Sequence, residues 1–365
     1  MAITDHILAS YQYELPPERI AQNPVTPRDQ SRLLVVDSPT HHAHQHFHQL
    51  PDWLKPGDLL VLNNTRVLPA RLYGRKSTGA PVEILLLREV RKNCWLALVK
   101  PGKRFKMGTE VCFTPKEEGS DDASLWGRVI ERDFTTGGRI LEFTLPPGKT
   151  MEQMLDAVGY IPFPPYVTET TADPEQYQTV YAQETGSAAS PTAGLHFTPE
   201  LLAQLTDLGV EQTSLTLHVG VGTFRPVETD DIREHKMHAE WATISAETVA
   251  KIKETRSRGG RVIAVGTTSV RALEGAAQQQ KVGKKKLLTE PFEGFLDTFI
   301  YPGHEWKIID GMITNFHLPK SSLLMMVSAL VGRERLLSLY QEALAEEYRF
   351  YSFGDAMLIL PDGMV

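Results

Sequence analysis

Between residues 68 and 145 the chain is a succession of short apolar runs, each closed by glycine, proline or charge. Val82 to Leu87, Cys94 to Val99, Glu110 to Phe113, Trp126 to Glu131 and Arg139 to Leu145 follow one another at near-regular spacing. Short strands at such intervals predict a small antiparallel barrel or sandwich. The flanking sequence has a different texture, in which strand-like and helix-like segments alternate, as α/β domains require. A chain of 365 residues is also too long for one ordinary core. The expected fold is therefore mixed α/β: a larger α/β domain, residues 1–67 and 156–365, carrying an inserted small β-barrel domain, residues 68–155. Residues 160–166, with prolines at 162, 164 and 165, read as the rigid return linker.

The larger domain holds the segments that suggest chemistry. Gly186-Ser-Ala-Ala-Ser-Pro-Thr-Ala-Gly-Leu-His-Phe197 has almost no long side chains, so another molecule can approach its backbone closely. His196 closes it, just before a helix start at Thr198-Pro199. Leu215, Leu217 and Val219 alternate with Thr216 and His218, the spacing of a strand. That strand breaks into a glycine turn at Gly220 and Gly222, followed by Thr223. Further on, Arg261-Val-Ile-Ala-Val265 runs into Gly266-Thr-Thr-Ser269 and then a helix. The turn offers backbone N–H groups and the hydroxyls of Thr267, Thr268 and Ser269 at the positive end of a helix, suited to an anion. It lacks the lysine of a P-loop.

Other clusters are less specific. Lys100-Pro-Gly-Lys-Arg-Phe-Lys106 groups four cations around one ring, a loop suited to phosphates and base stacking. His41, His42, His44, His46 and His48 share a strand-like stretch that superficially resembles a metal site; an exposed polar strand face is the reading adopted. His235, His238 and Glu240 lack the spacing of helical zinc sites and are assigned hydrogen-bonding or substrate-contact roles. Residues 298–303 read as a strand, and a final strand displays Asp355 after a glycine. Cys94 and Cys112, the only cysteines, fall in strand-like runs and are read as reduced thiols. With no signal pattern and no apolar run long enough for a bilayer, the expectation is a soluble cytoplasmic protein without membrane contact. A net charge of −7 argues against nonspecific coating of nucleic acid, while leaving room for a local basic groove.

Taken together and in order, these segments resemble the S-adenosylmethionine:tRNA ribosyltransferase-isomerase family of queuosine biosynthesis. The resemblance is carried by Tyr13-Glu-Leu-Pro, Asn63-x-Thr-Arg-Val67, Leu98-Val-Lys-Pro-Gly-Lys103, Ser190-Pro-Thr-Ala-Gly-Leu-His-Phe197, Leu217-His-Val-Gly220, Gly222-Thr-Phe-Arg-Pro-Val227, Gly266-Thr-Thr-Ser-Val-Arg271, Thr314-Asn-Phe-His-Leu-Pro-Lys-Ser321 and Gly354-Asp-Ala-Met357, among others. Asn64 departs from the family's usual Asp and removes any catalytic carboxylate there. The resemblance implies transfer and isomerisation of the ribosyl part of S-adenosylmethionine onto 7-aminomethyl-7-deazaguanine at the wobble position of a tRNA. The sugar becomes an epoxycyclopentanediol, and adenine and methionine leave. S-adenosylmethionine is consumed as donor, and no metal, flavin or nicotinamide fingerprint accompanies it.

That chemistry asks for a base at the carbon beside the sulfonium, an acid near adenine and an acceptor for the amine proton, tasks suited to histidine. The candidates are His196, His218, His317 and Asp355. Gly220, Gly222, Thr223, Thr267, Thr268 and Ser269 are expected to bind S-adenosylmethionine. Arg66, Lys100, Lys103, Arg271 and Lys320 are expected on tRNA phosphates. The protein is expected to act as a monomer. Two other readings are open: a non-catalytic RNA-binding module, and a hydrolase pairing Ser187 or Ser190 with His196 and Asp355, although no Gly-x-Ser-x-Gly elbow is present.

Overall fold

The computed structural model describes residues 3–116, 124–134, 136–220, 227–282, 285–286 and 288–365. Gly222 and Thr223 lie outside these residues. The chain divides into two compact units: residues 1–65, 165–184 and 190–365 in the larger, residues 66–164 and 185–189 in the smaller. Residues 156–164, assigned from sequence to the larger domain, group with the smaller unit.

The larger unit is built on a nine-stranded sheet. Its strand order is Phe292–Leu296, Glu240–Ile244, Glu211–Leu217, Leu59–Asn63, Val262–Val265, Gly311–Asn315, Ala356–Ile359, Arg32–Val36 and His42–His46. The four strands from Glu211–Leu217 to Gly311–Asn315 run parallel. Ala356–Ile359 runs antiparallel to its neighbour Gly311–Asn315 and parallel to Arg32–Val36.

Two-residue periodicity explains the packing. Leu33, Val35, Leu60, Leu62, Ile263, Val265, Ile313 and Leu358 share one face, covered by Phe47, Leu50, Phe197, Leu201 and Leu205. Each large apolar side chain so buried contributes about 1.5–3 kcal/mol. The inner strands are buried on both faces, as a parallel sheet demands. Helix Gly266–Gln279 is anchored by Glu274, whose buried carboxylate accepts from the backbone N–H groups of Lys307, Ile308 and Ile309. Helices Pro199–Asp207, Ala246–Ser257 and Ser322–Val331 start on the hydroxyl caps Thr198, Ser245 and Ser321.

In the smaller unit six antiparallel strands close into a barrel: Arg71–Lys76, Pro81–Arg91, Cys94–Lys100, Arg139–Thr144, Leu125–Arg132 and Glu110–Phe113, which pairs back to the first. Closure is tight at Gly74, where a Cβ would stand 2.6 Å from the Cys112 carbonyl oxygen. Helix Met151–Val158 adds Met154, Leu155 and Val158 to the barrel core. Cys94 and Cys112 are free thiols, the first buried and the second half-buried.

Two expectations change. Residues 298–303 form no strand; the strand is Phe292–Leu296 just before them. Phe105 does not face solvent as a stacking ring. It is 2% exposed and sits in the barrel core under the Lys76 ammonium, 4.3 Å from the ring centre.

Candidate active site

The sheet topology brings the chemistry-bearing segments to one edge. Asn63, Leu217, Val265 and Asn315 end the four parallel strands, while Arg32 and Ala356 begin strands of the register that starts at that same edge. Open α/β sheets bind ligands beyond these carboxyl ends.

One region of this edge centres on Asn63. Its Oδ1 accepts from the N–H of Leu217 and of Thr65, and its Nδ2 donates to the Leu217 carbonyl and to Thr268 Oγ1 at 3.1 Å. A single buried amide thus ties three segments together. Thr65 Oγ1 in turn lies 2.8 Å from Nδ1 of His218, whose ring stacks on Trp241. His218 is half-buried, and its Nε2 has no partner among the described residues. Burial lowers its pKa, so the ring is a neutral base at physiological pH.

Two residues on, the Gly220 N–H donates to Glu240 Oε1 at 2.8 Å, and Glu240 Oε2 receives the Arg271 guanidinium. Both side chains of that pair are 3% exposed. Arg271, expected on tRNA phosphates, is instead buried against Glu240, whose other carboxylate oxygen holds the Gly220 N–H.

The helix that begins at Gly266 carries no side-chain cap, and Gly266 has φ +87°, a conformation glycine adopts without cost. Its first-turn N–H groups thus receive no bond from a capping side chain, and they adjoin Thr268 and half-buried Thr267. Ser269 is completely buried and donates to the Val265 carbonyl, which removes it from the expected binding set.

A second region lies at the ends of Gly311–Asn315 and Arg32–Val36. His196 is enclosed: Nδ1 lies 2.7 Å from Ser31 Oγ, Nε2 3.2 Å from Asn315 Nδ2, and the ring stacks on Phe47. Burial, with the Arg349 and Arg28 charges, holds its pKa at about 3. Both nitrogens being engaged, His196 is placed to order the loop and not to titrate against a substrate. That loop is compact because Gly194 passes so close to Tyr181 that a Cβ would meet its hydroxyl at 2.0 Å. Ala193 comes within 3.6 Å of a Cβ placed on Gly266, so the two regions adjoin.

His317 is likewise buried, with Nε2 2.8 Å from Thr314 Oγ1 and its pKa lowered by burial to about 3. Asp355 accepts from the backbone N–H groups of Arg32 and Arg349 and from the Arg349 guanidinium. It is 2% exposed, which makes it a clasp between chain segments and not a reactive carboxylate. Among the described residues His196 bonds neither serine of the hydrolase reading: its partners are Ser31 and Asn315, Ser187 Oγ donates to the Ala189 carbonyl, and Ser190 Oγ is buried without a hydrogen-bond partner. Asn64 serves strand pairing, accepting from Thr216 Oγ1 at 2.7 Å. Lys320 is half-buried with φ +56°, its N–H bonded to the Tyr11 carbonyl.

Sequence reasoning missed Asn63 as an organiser and gave Glu240 only a general hydrogen-bonding or substrate-contact role, short of its bonds to Gly220 and Arg271. Their signals were present, a polar amide ending an apolar strand and an acid beginning one, but each partner lies far along the chain.

The barrel presents a different surface. Lys100 and Lys103 are exposed, and Arg66 is half-buried. Lys100, Arg75 and Tyr73 help line a hollow of about 610 Å³. Tyr73 and Tyr160 expose their rings in an edge-on pair.

A family model described as queuosine biosynthesis protein matches residues 8–359. The S-adenosylmethionine:tRNA ribosyltransferase-isomerase of Nostoc sp. is 59% identical, over 98% of this chain and 93% of that protein. The protein of the same name from Desulforamulus reducens is 49% identical over 97% and 99%. The crystal structure of S-adenosylmethionine tRNA ribosyltransferase from Thermotoga maritima is similar with a TM-score of 0.53 and 39% identity, over 96% of this chain and 100% of that one. With its motifs, its fold and its full length in agreement, the chain belongs to the queuosine biosynthesis protein family.

Proposed function

We propose that this protein transfers and isomerises the ribosyl moiety of S-adenosylmethionine onto 7-aminomethyl-7-deazaguanine at the wobble position of tRNA, giving epoxyqueuosine-tRNA with release of adenine and methionine. The observation that carries this reading is the meeting of His218, Gly220 and Thr268 through Asn63 and Glu240, at the carboxyl edge of the sheet. The near full-length likeness to enzymes bearing that name supports it.

In this reading the nucleoside lies along the edge, with the methionine carboxylate against the uncapped first turn of helix Gly266–Gln279. His218 is the base. Its sulfonium substrate acidifies the adjacent 5′ carbon, and a neutral imidazole anchored by Nδ1 on Thr65 offers Nε2 to that proton. His196, His317 and Asp355 position the loop and strand ends that frame the donor. Gly222 and Thr223, outside the described residues, are assigned to the donor on the strength of the sequence motif alone. On the tRNA side we assign Lys100, Lys103 and Arg66 to phosphates, and Tyr73 to a stacked base. The protein works in the cytoplasm as a monomer and needs no further cofactor; among the described residues no helix is long and apolar enough to cross a membrane.

The test is incubation with S-adenosylmethionine and tRNA carrying the aminomethyl-deazaguanine base. Stoichiometric free adenine and methionine are expected. Binding of the tRNA without release of either would leave only an RNA-binding module.

A further inference from the structure

The histidine-rich strand takes no part in the chemistry above. His42 pairs with Val36, at the end of the hairpin remote from Ser31 and His196. Strand geometry puts His42 and His44 on one face of an edge strand, and helix Arg333–Ala345 brings Glu342 against them. Nε2 of His42 lies 2.8 Å from Glu342 Oε1, and Nε2 of His44 lies 3.1 Å from the same oxygen. The two rings stand 5.6 Å apart and nearly perpendicular, so their nitrogens converge. We propose that His42, His44 and Glu342 bind one divalent transition-metal ion, with zinc the best match.

Donor chemistry sets the class. Two imidazoles and one carboxylate suit zinc and its first-row neighbours, whereas magnesium and calcium take oxygen ligands. Donor spacing agrees. Around tetrahedral zinc, with bonds of about 2.0–2.1 Å, ligand atoms stand roughly 3.3 Å apart. All three donors here lie within 4.8 Å of one another, and both nitrogens already crowd one oxygen. The fourth position is left to water.

A supporting shell is present. His44 Nδ1 lies 2.8 Å from the Tyr348 hydroxyl, and the Arg32 guanidinium packs over that phenol ring, 3.9 Å from its centre. A proton on Nδ1 shared with Tyr348 leaves the Nε2 lone pair directed at Glu342, the tautomer a metal requires. Two imidazoles aimed at one carboxylate oxygen each need a proton on Nε2 to bond it; one cation replaces both protons. Side-chain exposures of 24% for His42, 31% for His44 and 42% for Glu342 give an ion a path in. Bound there, it staples the outermost strand of the sheet to the helix beside it, guarding an edge that otherwise invites pairing with other chains. The strand is then more than the polar face that its sequence suggested.

The experiment uses untagged full-length protein, stripped with chelator, loaded with zinc chloride and desalted. One equivalent of zinc is expected to remain, and cobalt(II) is expected to give a visible d–d band saturating at one equivalent. Zinc is expected to raise the thermal midpoint of the wild type. The double variant His42→Ala/His44→Ala should lose the retained ion and the thermal shift, Glu342→Gln should weaken binding at least about tenfold, and His46→Ala should retain the ion. A far-ultraviolet dichroism spectrum matching the wild type verifies the fold of each variant. Absence of retained zinc in the wild type, or its full retention in the double variant and in Glu342→Gln, overturns the proposal and leaves a hydrogen-bonded cluster only.

Discussion

His196 and His218 end glycine-bounded segments of similar appearance, and both reach the same edge of the sheet, yet their surroundings differ in kind. The His196 ring is saturated: both ring nitrogens are bonded, Phe47 lies on the ring, and burial with two nearby guanidinium groups keeps it neutral far below the usual range. Around His218 one nitrogen is anchored and the other is left without a partner among the described residues, on a half-buried ring. A saturated, buried group contributes order, whereas a fixed but unsaturated one is available for chemistry. Proximity to the edge does not distinguish them; the count of remaining hydrogen bonds does.

The comparison breaks most visibly under substitution. His218→Ala should lower the rate of adenine release by about 10²–10⁴-fold, the range of general-base catalysis, with the urea midpoint close to wild type. If the rate holds and the midpoint collapses, the roles assigned to the two histidines are exchanged. Arg271→Ala strands the buried Glu240 carboxylate and should cost about 3–5 kcal/mol in urea unfolding. It tests whether the His218 region also rests on a rigid frame.

His196→Ala removes bonds to Ser31 and Asn315 and should cost about 1–3 kcal/mol of stability. Its pH signature sharpens the contrast. With a folded pKa of about 3 against an ordinary value near 6.5, His196 is neutral in the folded chain while the unfolded chain takes up a proton. Stability is full above about pH 6.5 and falls as pH drops toward 3, by about 1.4 kcal/mol per unit for each such histidine. The variant should flatten that slope by this amount in urea titrations from pH 4 to 6. His218 instead should appear in the activity profile, with the acid limb displaced below the ordinary histidine range, because burial lowers its pKa. The smallest effect lies outside both regions. Lys100→Ala with Lys103→Ala should reduce the slope of log K against log salt for tRNA by about 1.5, and leave stability unchanged.

Most strands, the caps and the barrel were legible in the sequence because two-residue alternation, Ser/Thr before helices and turn residues are local signals, while Phe292–Leu296, Glu240–Ile244 and Arg71–Lys76 were not. The site was legible only as a set of segments. Whether Arg271 meets a phosphate or Glu240 depends on a partner 31 residues away, and the Asn63 amide earns its role from Leu217 and Thr268, distant in sequence. Phe105 among cations looks like a stacking ring until the barrel closes over it. Asp355 after a glycine looks displayed, and its backbone partners draw it inward. In each case the residue type was visible and its satisfaction was not, because hydrogen-bond partners are chosen by the sheet register.

The most direct measurement is a single turnover of the enzyme with S-adenosylmethionine and the modified tRNA, read as free adenine, for the wild type and His218→Ala alongside equilibrium binding of both substrates. The account predicts binding within a few-fold of wild type and adenine release slowed by at least about 10²-fold. Release at the wild-type rate, with His218 gone and both substrates bound, would contradict it.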